Sequence, residues 1–283
     1  MIEIAPSDPS PAGLAAVAAL LRPRFPRAAQ ISAAYLAWSY RENPEGPALA
    51  FDAREDGRIV AHFAATPLRA RVCGRLERGL LTQHAATAPG FEGRGLFQAL
   101  VERALSDGAA KGFGHALAFA NANSRFAFVA RLGFQELRAL DVRVGIGPGP
   151  APAARTPASW ERVWDARSLA WRLARPDRPY HAAVRGEQAR ILCASGYPGI
   201  QAEVARVARA DLPAGLPPAP RTAPLRVWLG LDPDLRWRGH AYLPVPVRLR
   251  PAPLHFAFRD LGGSGRTPGP AALRVQALDF DAY

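Results

Sequence analysis

Hydrophobic and polar positions change period several times along the first half of the chain. Met1 to Ala5 reads as a strand, Pro11 to Arg22 and Ile31 to Tyr40 carry helical spacing, and Ala48 to Asp52 returns to a strand. The turn Glu55-Asp56-Gly57 follows. Asp-Gly between the apolar runs Ala48-Leu49-Ala50-Phe51 and Ile59-Val60-Ala61-His62-Phe63 predicts a hairpin, because glycine accepts the positive φ such turns need. A further strand pair, around Leu68 to Val72 and Gly79 to Thr87, leads into a glycine-containing loop. From Leu96 the residues Phe97, Leu100, Val101, Ala104 and Leu105 share one face, with Glu102, Arg103 and Asp107 opposite, which predicts a helix closed near Gly112. Ala116 to Ala120 reads as a buried strand. Ser124 then reads as an N-cap, and Phe128, Val129 and Leu132 as the apolar face of a helix stopped by Gly133. The expected class is α/β in the α+β sense, a mixed sheet with helices packed against it.

Ile146 to Ala158 breaks this pattern, with four prolines, two glycines and no apolar periodicity. The expected division is a first domain over 1–147, a linker over 148–158 and a second domain over 159–283. An internal echo crosses the cut: Leu36-Ala37-Trp38 reappears as Leu169-Ala170-Trp171, and Pro44-Glu45-Gly46-Pro47 as Pro176-Asp177-Arg178-Pro179. A shared tryptophan, two prolines and the same order of apolar stretches favour a duplicated fold. Tyr180, His181 and Trp237 are aromatic positions that either fill the second core or line a cleft. The tail Arg274 to Asp281 alternates like a strand with its acids toward solvent.

With 283 residues, 49% of them hydrophobic, the chain is long enough for two packed cores. Met1 to Pro11 is too short and mixed for a signal peptide, and no apolar run approaches the roughly 18 residues that span a bilayer, so a soluble cytoplasmic protein with no membrane partner is expected. Cys73 and Cys193 have no CxxC or Cys/His spacing, so neither a disulfide framework nor a metal site is signalled. The formal charge of +12 invites a nucleic-acid partner, but the cations are dispersed and all except Lys111 are arginine, which argues against one. The same charge suits an anionic small ligand or an acidic acceptor.

The run Gly90-Phe91-Glu92-Gly93-Arg94-Gly95-Leu96-Phe97 lies between a predicted strand and a predicted helix, where unpaired N–H groups receive anions. Gly93 and Gly95 admit a pyrophosphate without Cβ interference. In this setting Thr87 to Phe97 resembles the GNAT acetyltransferase motif Arg/Gln-x-x-Gly-x-Gly/Ala, with Glu92 where Arg or Gln is usual and Phe97 where a small residue is usual. Asn121-Ala122-Asn123-Ser124, ending in Arg131-Leu132-Gly133-Phe134, is similar to the GNAT segment that closes the CoA site. The resemblance covers about Met1 to Gly145. It implies a mostly antiparallel GNAT sheet and a second, degenerate GNAT-like domain after the linker.

It also implies acetyl-CoA as cosubstrate, held by Ala86 and Thr87 on the fourth strand, the loop Glu92, Gly93, Arg94, Gly95, Leu96 and Phe97, and Asn123. Direct transfer to an amine follows, with a fourth-strand N–H on the thioester carbonyl. Holding an amine of pKa near 10.4 neutral at pH 7 costs about 4 to 5 kcal/mol, which calls for a general base. The fourth-strand candidates are Thr82, Gln83 and His84, of which His84 titrates near neutrality; a histidine that is merely solvated or hydrogen-bonded is the competing reading. Where many members carry a tyrosine acid, this chain has Val129. The expected activity is N-acetyl transfer to a small-molecule amine such as an amino sugar. A non-catalytic CoA-binding or assembly protein is the alternative, and a homodimer is compatible with either.

Overall fold

The computed structural model describes residues 1–25, 31–152, 154–220, 225–250 and 252–280. In chain order the strands and helices are β1 (Ile2–Pro6), α1 (Pro11–Leu21), α2 (Ala33–Tyr40), β2 (Leu49–Glu55), β3 (Arg58–Val72), β4 (Arg75–Thr87), α3 (Leu96–Ala110), β5 (His115–Ala120) and α4 (Ala122–Phe126). They continue with β6 (Gln135–Ala139), β7 (Asp141–Ile146), β8 (Trp160–Arg162), α5 (Ala166–Leu173), β9 (His181–Arg185), β10 (Gln188–Ala194), β11 (Ile200–Ala208), β12 (Leu225–Leu231), β13 (Tyr242–Pro244), β14 (His255–Asp260) and β15 (Leu273–Gln276). Two compact units result: 1–69 with 77–136 and 257–267, and 70–76 with 137–256 and 268–283. Among the described residues no helix is long and apolar enough to cross a membrane.

In the first unit β1 pairs antiparallel with β2, and β2 with β3, while β4 and β5 run parallel. Residues 257–260 of β14 border β5, so a segment far along the chain completes this sheet. β3 is one strand of 15 residues, not the two pieces expected. Pro67 does not break it because the ladder with β2 ends at Leu49↔Ala65, beyond which no N–H is required on that side. The amphipathic face of α3 buries Leu100, Val101, Ala104 and Leu105 against Phe51, Val60, Phe63 and Leu80. The short helix after β5 has Asn121, not Ser124, as its N-cap; Ser124 sits at the third helical position and closes a reciprocal capping box. A π-helical turn, Ala127–Arg131, follows.

Gly79 stands directly opposite His115 across the β4–β5 ladder. A Cβ at Gly79 would lie 2.3 Å from both Cε1 and Nε2 of that ring. The ring cannot yield easily: it stacks on Phe258 at 5.4 Å, and Nδ1 donates to Glu77 at 2.7 Å, which in turn pairs with Arg266. Burial pushes the His115 pKa down despite that carboxylate. Gly79→Ala is therefore expected to cost about 1 to 3 kcal/mol. Thermal denaturation would register this as a fall of several degrees, and an unchanged Tm would mean the ring moves aside freely.

In the second unit β12 pairs with β7 antiparallel and β11 parallel, and β10 joins β11 to β9. Its core gathers Leu169, Tyr180, Ile191, Ala202, Val204 and Leu278, so Tyr180 is a core residue. Trp237 packs on Trp228 and Tyr242 at 5.0 and 5.2 Å. Helix α5 has the length of α2 and, like it, is followed by an antiparallel strand pair. Gly149 and Pro150 of the Pro-rich segment are buried, and their carbonyls accept Arg190 and Arg206. Cys73 is exposed and Cys193 is buried, where desolvation raises its thiol pKa.

The tail departs from its expected form. The strand ends at Gln276 and Ala277–Asp279 turns as a 3-10 helix, whose capping interaction takes Asp279 inward. Oδ1 accepts the Trp164 indole N–H at 3.1 Å and Oδ2 the Gln276 N–H at 2.7 Å. Burial pushes its pKa up to about 6 against the pull of Arg162. Asp281 lies outside the described residues.

Candidate functional site

The β4–β5 ladder runs from Gly79↔His115 to Leu81↔Leu117, whereas β4 continues to Thr87 and β5 to Ala120. Among the described residues the two strands thus part beyond Leu81, and the β4 edge facing β5 loses its partner there. Ala86 and Thr87 lie on this freed stretch, while the next N–H, of Ala88, is taken on the opposite side by the Val60 carbonyl at 2.7 Å.

At the mouth of the wedge stands the glycine loop. Gly93 and Gly95 have φ of 75° and 74°, and a Cβ on either would meet nothing within 4 Å. Backbone conformation, not crowding, requires glycine here, and the space in front is open. Gly95 is the N-cap of α3; no side chain caps the helix and its first turn carries no acid. Its N-terminal N–H groups and dipole therefore suit a phosphate. Leu96 is buried, and Phe97 turns into the core with its ring edge-on to Phe63 and Phe128 at 6.4 and 5.6 Å. Arg94 folds over Phe91, 4.6 Å from the ring centre. Asn123 is exposed on the first turn of α4, with its N–H donated to the Asn121 side chain at 3.0 Å.

Glu92 puts a carboxylate onto this loop. Backbone N–H groups of Glu92 and Gly90, together with the Arg24 guanidinium, hold its pKa below the usual range. The Glu92 carboxylate thus occupies part of the loop's own donor set, and Arg24 offsets the charge it introduces.

His84 lies on the freed part of β4 with φ of +50°, a left-handed conformation uncommon for a residue with a side chain. Its imidazole sits between two tyrosines of α2: Nε2 is 3.0 Å from the Tyr35 hydroxyl and Nδ1 is 3.0 Å from the Tyr40 hydroxyl. The Tyr40 oxygen is also 3.0 Å from His62 Nε2. His62 Nδ1 lies 2.8 Å from Asp52 Oδ1, which also accepts the Ser7 hydroxyl at 2.6 Å, and Arg54 donates to Oδ2 at 2.9 Å. Asp52, His62, Tyr40 and Tyr35 are almost fully buried, and His84 is half-buried. Burial works to raise the Asp52 pKa, but the hydrogen bonds from His62, Ser7 and Arg54 outweigh it and hold the carboxyl below its ordinary value.

The sequence-predicted base candidates part company here. Gln83 faces β3, where its Oε1 accepts the Thr66 hydroxyl at 3.2 Å, while His84 joins the polar chain. Val129 is exposed on the π-helical turn and offers no proton. Tyr35, Tyr40, His62 and Asp52 were not singled out from sequence. Their one available signal is polar or phenolic groups inside apolar stretches, and that is ambiguous without the fold. Among the described residues no group of three metal-ligating side chains gathers anywhere.

Comparison with known proteins gives likenesses in both sequence and fold. A sequence model described as "Acetyltransferase (GNAT) family" matches residues 14–134. Among solved structures, a GCN5-related N-acetyltransferase from Anabaena variabilis is similar at 11% identity, with 92% of this chain and 73% of that one covered and a TM-score of 0.63. A GCN5-related N-acetyltransferase from Kribbella flavida gives 13% identity, coverage of 93% and 71%, and a TM-score of 0.62. Eis1 from Mycobacterium abscessus gives 12% identity, coverage of 92% and 74%, and a TM-score of 0.58. These likenesses establish the fold. No curated protein matches the chain.

Proposed function

We propose, with residues 14–134 a GNAT acetyltransferase domain as the premise, that the chain transfers an acetyl group from acetyl-CoA to a primary amine of a small molecule, with His84 as general base. The observation that carries this reading is His84: a strained strand position on the freed edge of β4, tied through its ring to a buried carboxylate. Such strain persists where the surrounding structure enforces it and often marks a working site.

The loop Glu92 to Phe97 and the start of α3 would receive the pyrophosphate through backbone N–H groups. The unpaired β4 edge near Ala86 and Thr87 would take the pantetheine, with a backbone N–H toward the thioester oxygen. Acetyl-CoA supplies the activated acyl group. His84 accepts the proton that an ammonium acceptor must lose before its nitrogen forms the new C–N bond and the C–S bond breaks. The thiolate takes its proton from solvent, since Val129 cannot give one. The second unit is read as a degenerate copy of the same fold, on the strength of the α2/α5 echo.

The test is release of free thiol from acetyl-CoA at low protein concentration, with and without a panel of amino sugars and other primary amines. Amine-dependent release supports transfer. A second reading, a CoA-binding protein without turnover, is favoured by Glu92 on the loop and by Val129; binding in calorimetry without any thiol release across the panel would select it.

A further inference from the structure

The polar chain that ends on His84 has a direction, and it is set at its far end. We infer that Asp52 acts as a remote positioning residue, fixing His84 in the Nδ1–H tautomer through His62 and Tyr40 and so leaving Nε2 as its basic nitrogen. The inference bears on the same site as the proposed function and rests on that reading only for its effect on rate.

The argument is a count of protons. An ionised carboxylate only accepts, so His62 Nδ1, 2.8 Å from Asp52 Oδ1, must be the N–H of that ring. With a single proton on the His62 ring, Nε2 carries a lone pair and the Tyr40 hydroxyl 3.0 Å away donates to it. Tyr40 has a single proton. Its oxygen can therefore only accept from the second neighbour, His84 Nδ1, also at 3.0 Å. His84 is thereby the Nδ1–H tautomer, and its Nε2 receives the Tyr35 hydroxyl at 3.0 Å. With one proton on the His62 ring, reversing the direction would leave Nδ1, inside the buried cluster, as a lone pair facing a carboxylate.

This polarity also prepares the ring for a proton. When Nε2 is protonated, the positive charge of His84 is met by the Tyr40 oxygen, whose own proton is held by His62, whose Nδ1–H is held by Asp52. Asp52 and His62 face one another across the β2–β3 ladder, and both are screened from water, so the direction is not averaged by solvent exchange. The charged and titratable groups around the chain are Arg54 on β2, which donates to the outer carboxylate oxygen, and Tyr35 at the other end.

The experiment is nitrogen-15 NMR of the histidine side chains in the full chain. In the wild type, His62 and His84 should both show a protonated Nδ1 and a pyridine-type Nε2. Tyr40→Phe keeps the ring and removes the link: His62 should be unchanged, because Asp52 still holds it, while His84 should become a mixture of tautomers. In an acetyl-transfer assay, kcat should fall about tenfold, a fraction of the loss that follows removal of a general base, with acetyl-CoA affinity unchanged. A wild-type His84 protonated at Nε2, or a Tyr40→Phe spectrum with His84 unaltered, would overturn the inference, and the first needs no variant. The expected tautomers in a protein that transfers no acetyl group would leave the inference standing and defeat the proposed function instead.

Discussion

Replacing Gly95 by Trp is expected to abolish acetyl-CoA binding, with affinity falling at least about 100-fold, or some 3 kcal/mol, and with only a small loss of stability. The two effects have separate causes. Any side chain at φ of +74° incurs roughly 1 to 2 kcal/mol of backbone strain. That strain is shared by Gly95→Ala, whose Cβ would meet nothing within 4 Å. The indole alone would fill the open space in front of the α3 N-terminus, over the N–H groups that no side chain caps. Calorimetry on the three proteins separates the contributions: the Ala variant should bind acetyl-CoA within about tenfold of wild type, and the Trp variant should not bind measurably. If the Trp variant bound as the wild type does, the phosphate would have to lie elsewhere and the proposed function would lose its cofactor site. Glu92 adds a specific expectation to this comparison, since its carboxylate already uses the Gly90 N–H, and an incoming phosphate must share the loop with it.

What sequence could and could not reveal divides along physical lines. The glycine loop was legible because positive φ leaves a compositional trace at Gly93 and Gly95, and α3 because its apolar face repeats with helical period over 15 residues. The polar chain was not. Counting back from the Asp56-Gly57 turn pairs Glu55 with Arg58 and would set Asp52 opposite Ala61; a bulge between Ala53 and Arg54 shifts the register by one and brings His62 there instead. Nothing in the residues around the bulge announces it. Tyr35 and Tyr40 are buried residues of α2, and only the fold reveals that their hydroxyls converge on one imidazole. The tail was misread for a related reason: alternation through Phe280 imitates a strand, but the capping turn at Gln276 and the Trp164 indole draw Asp279 into the core. Equally invisible was residues 257–267 joining the first unit, since completion of a sheet edge depends on chain path and leaves no local pattern.

His84→Gly is expected to lower kcat by about 100- to 10,000-fold, the usual range for losing a positioned general base, and to leave acetyl-CoA affinity intact. Glycine is the informative choice because it adopts φ near +50° without strain, so β4 keeps its path and the loss is confined to the ring. Removing that ring leaves a space bounded by the Tyr35 and Tyr40 hydroxyls, each placed 3.0 Å from a ring nitrogen in the intact protein. Free imidazole has the size and the donor–acceptor pair to occupy it. Added imidazole should therefore restore part of the rate in His84→Gly and none in the wild type, with the rescue rising as neutral imidazole becomes the dominant form. A variant that retained wild-type kcat would remove His84 from the chemistry and leave it as a half-buried link between α2 and β4. A variant that lost activity without rescue, yet folded with an unchanged Tm, would instead mean that the ring must be carried by the backbone at this strained position to meet the amine.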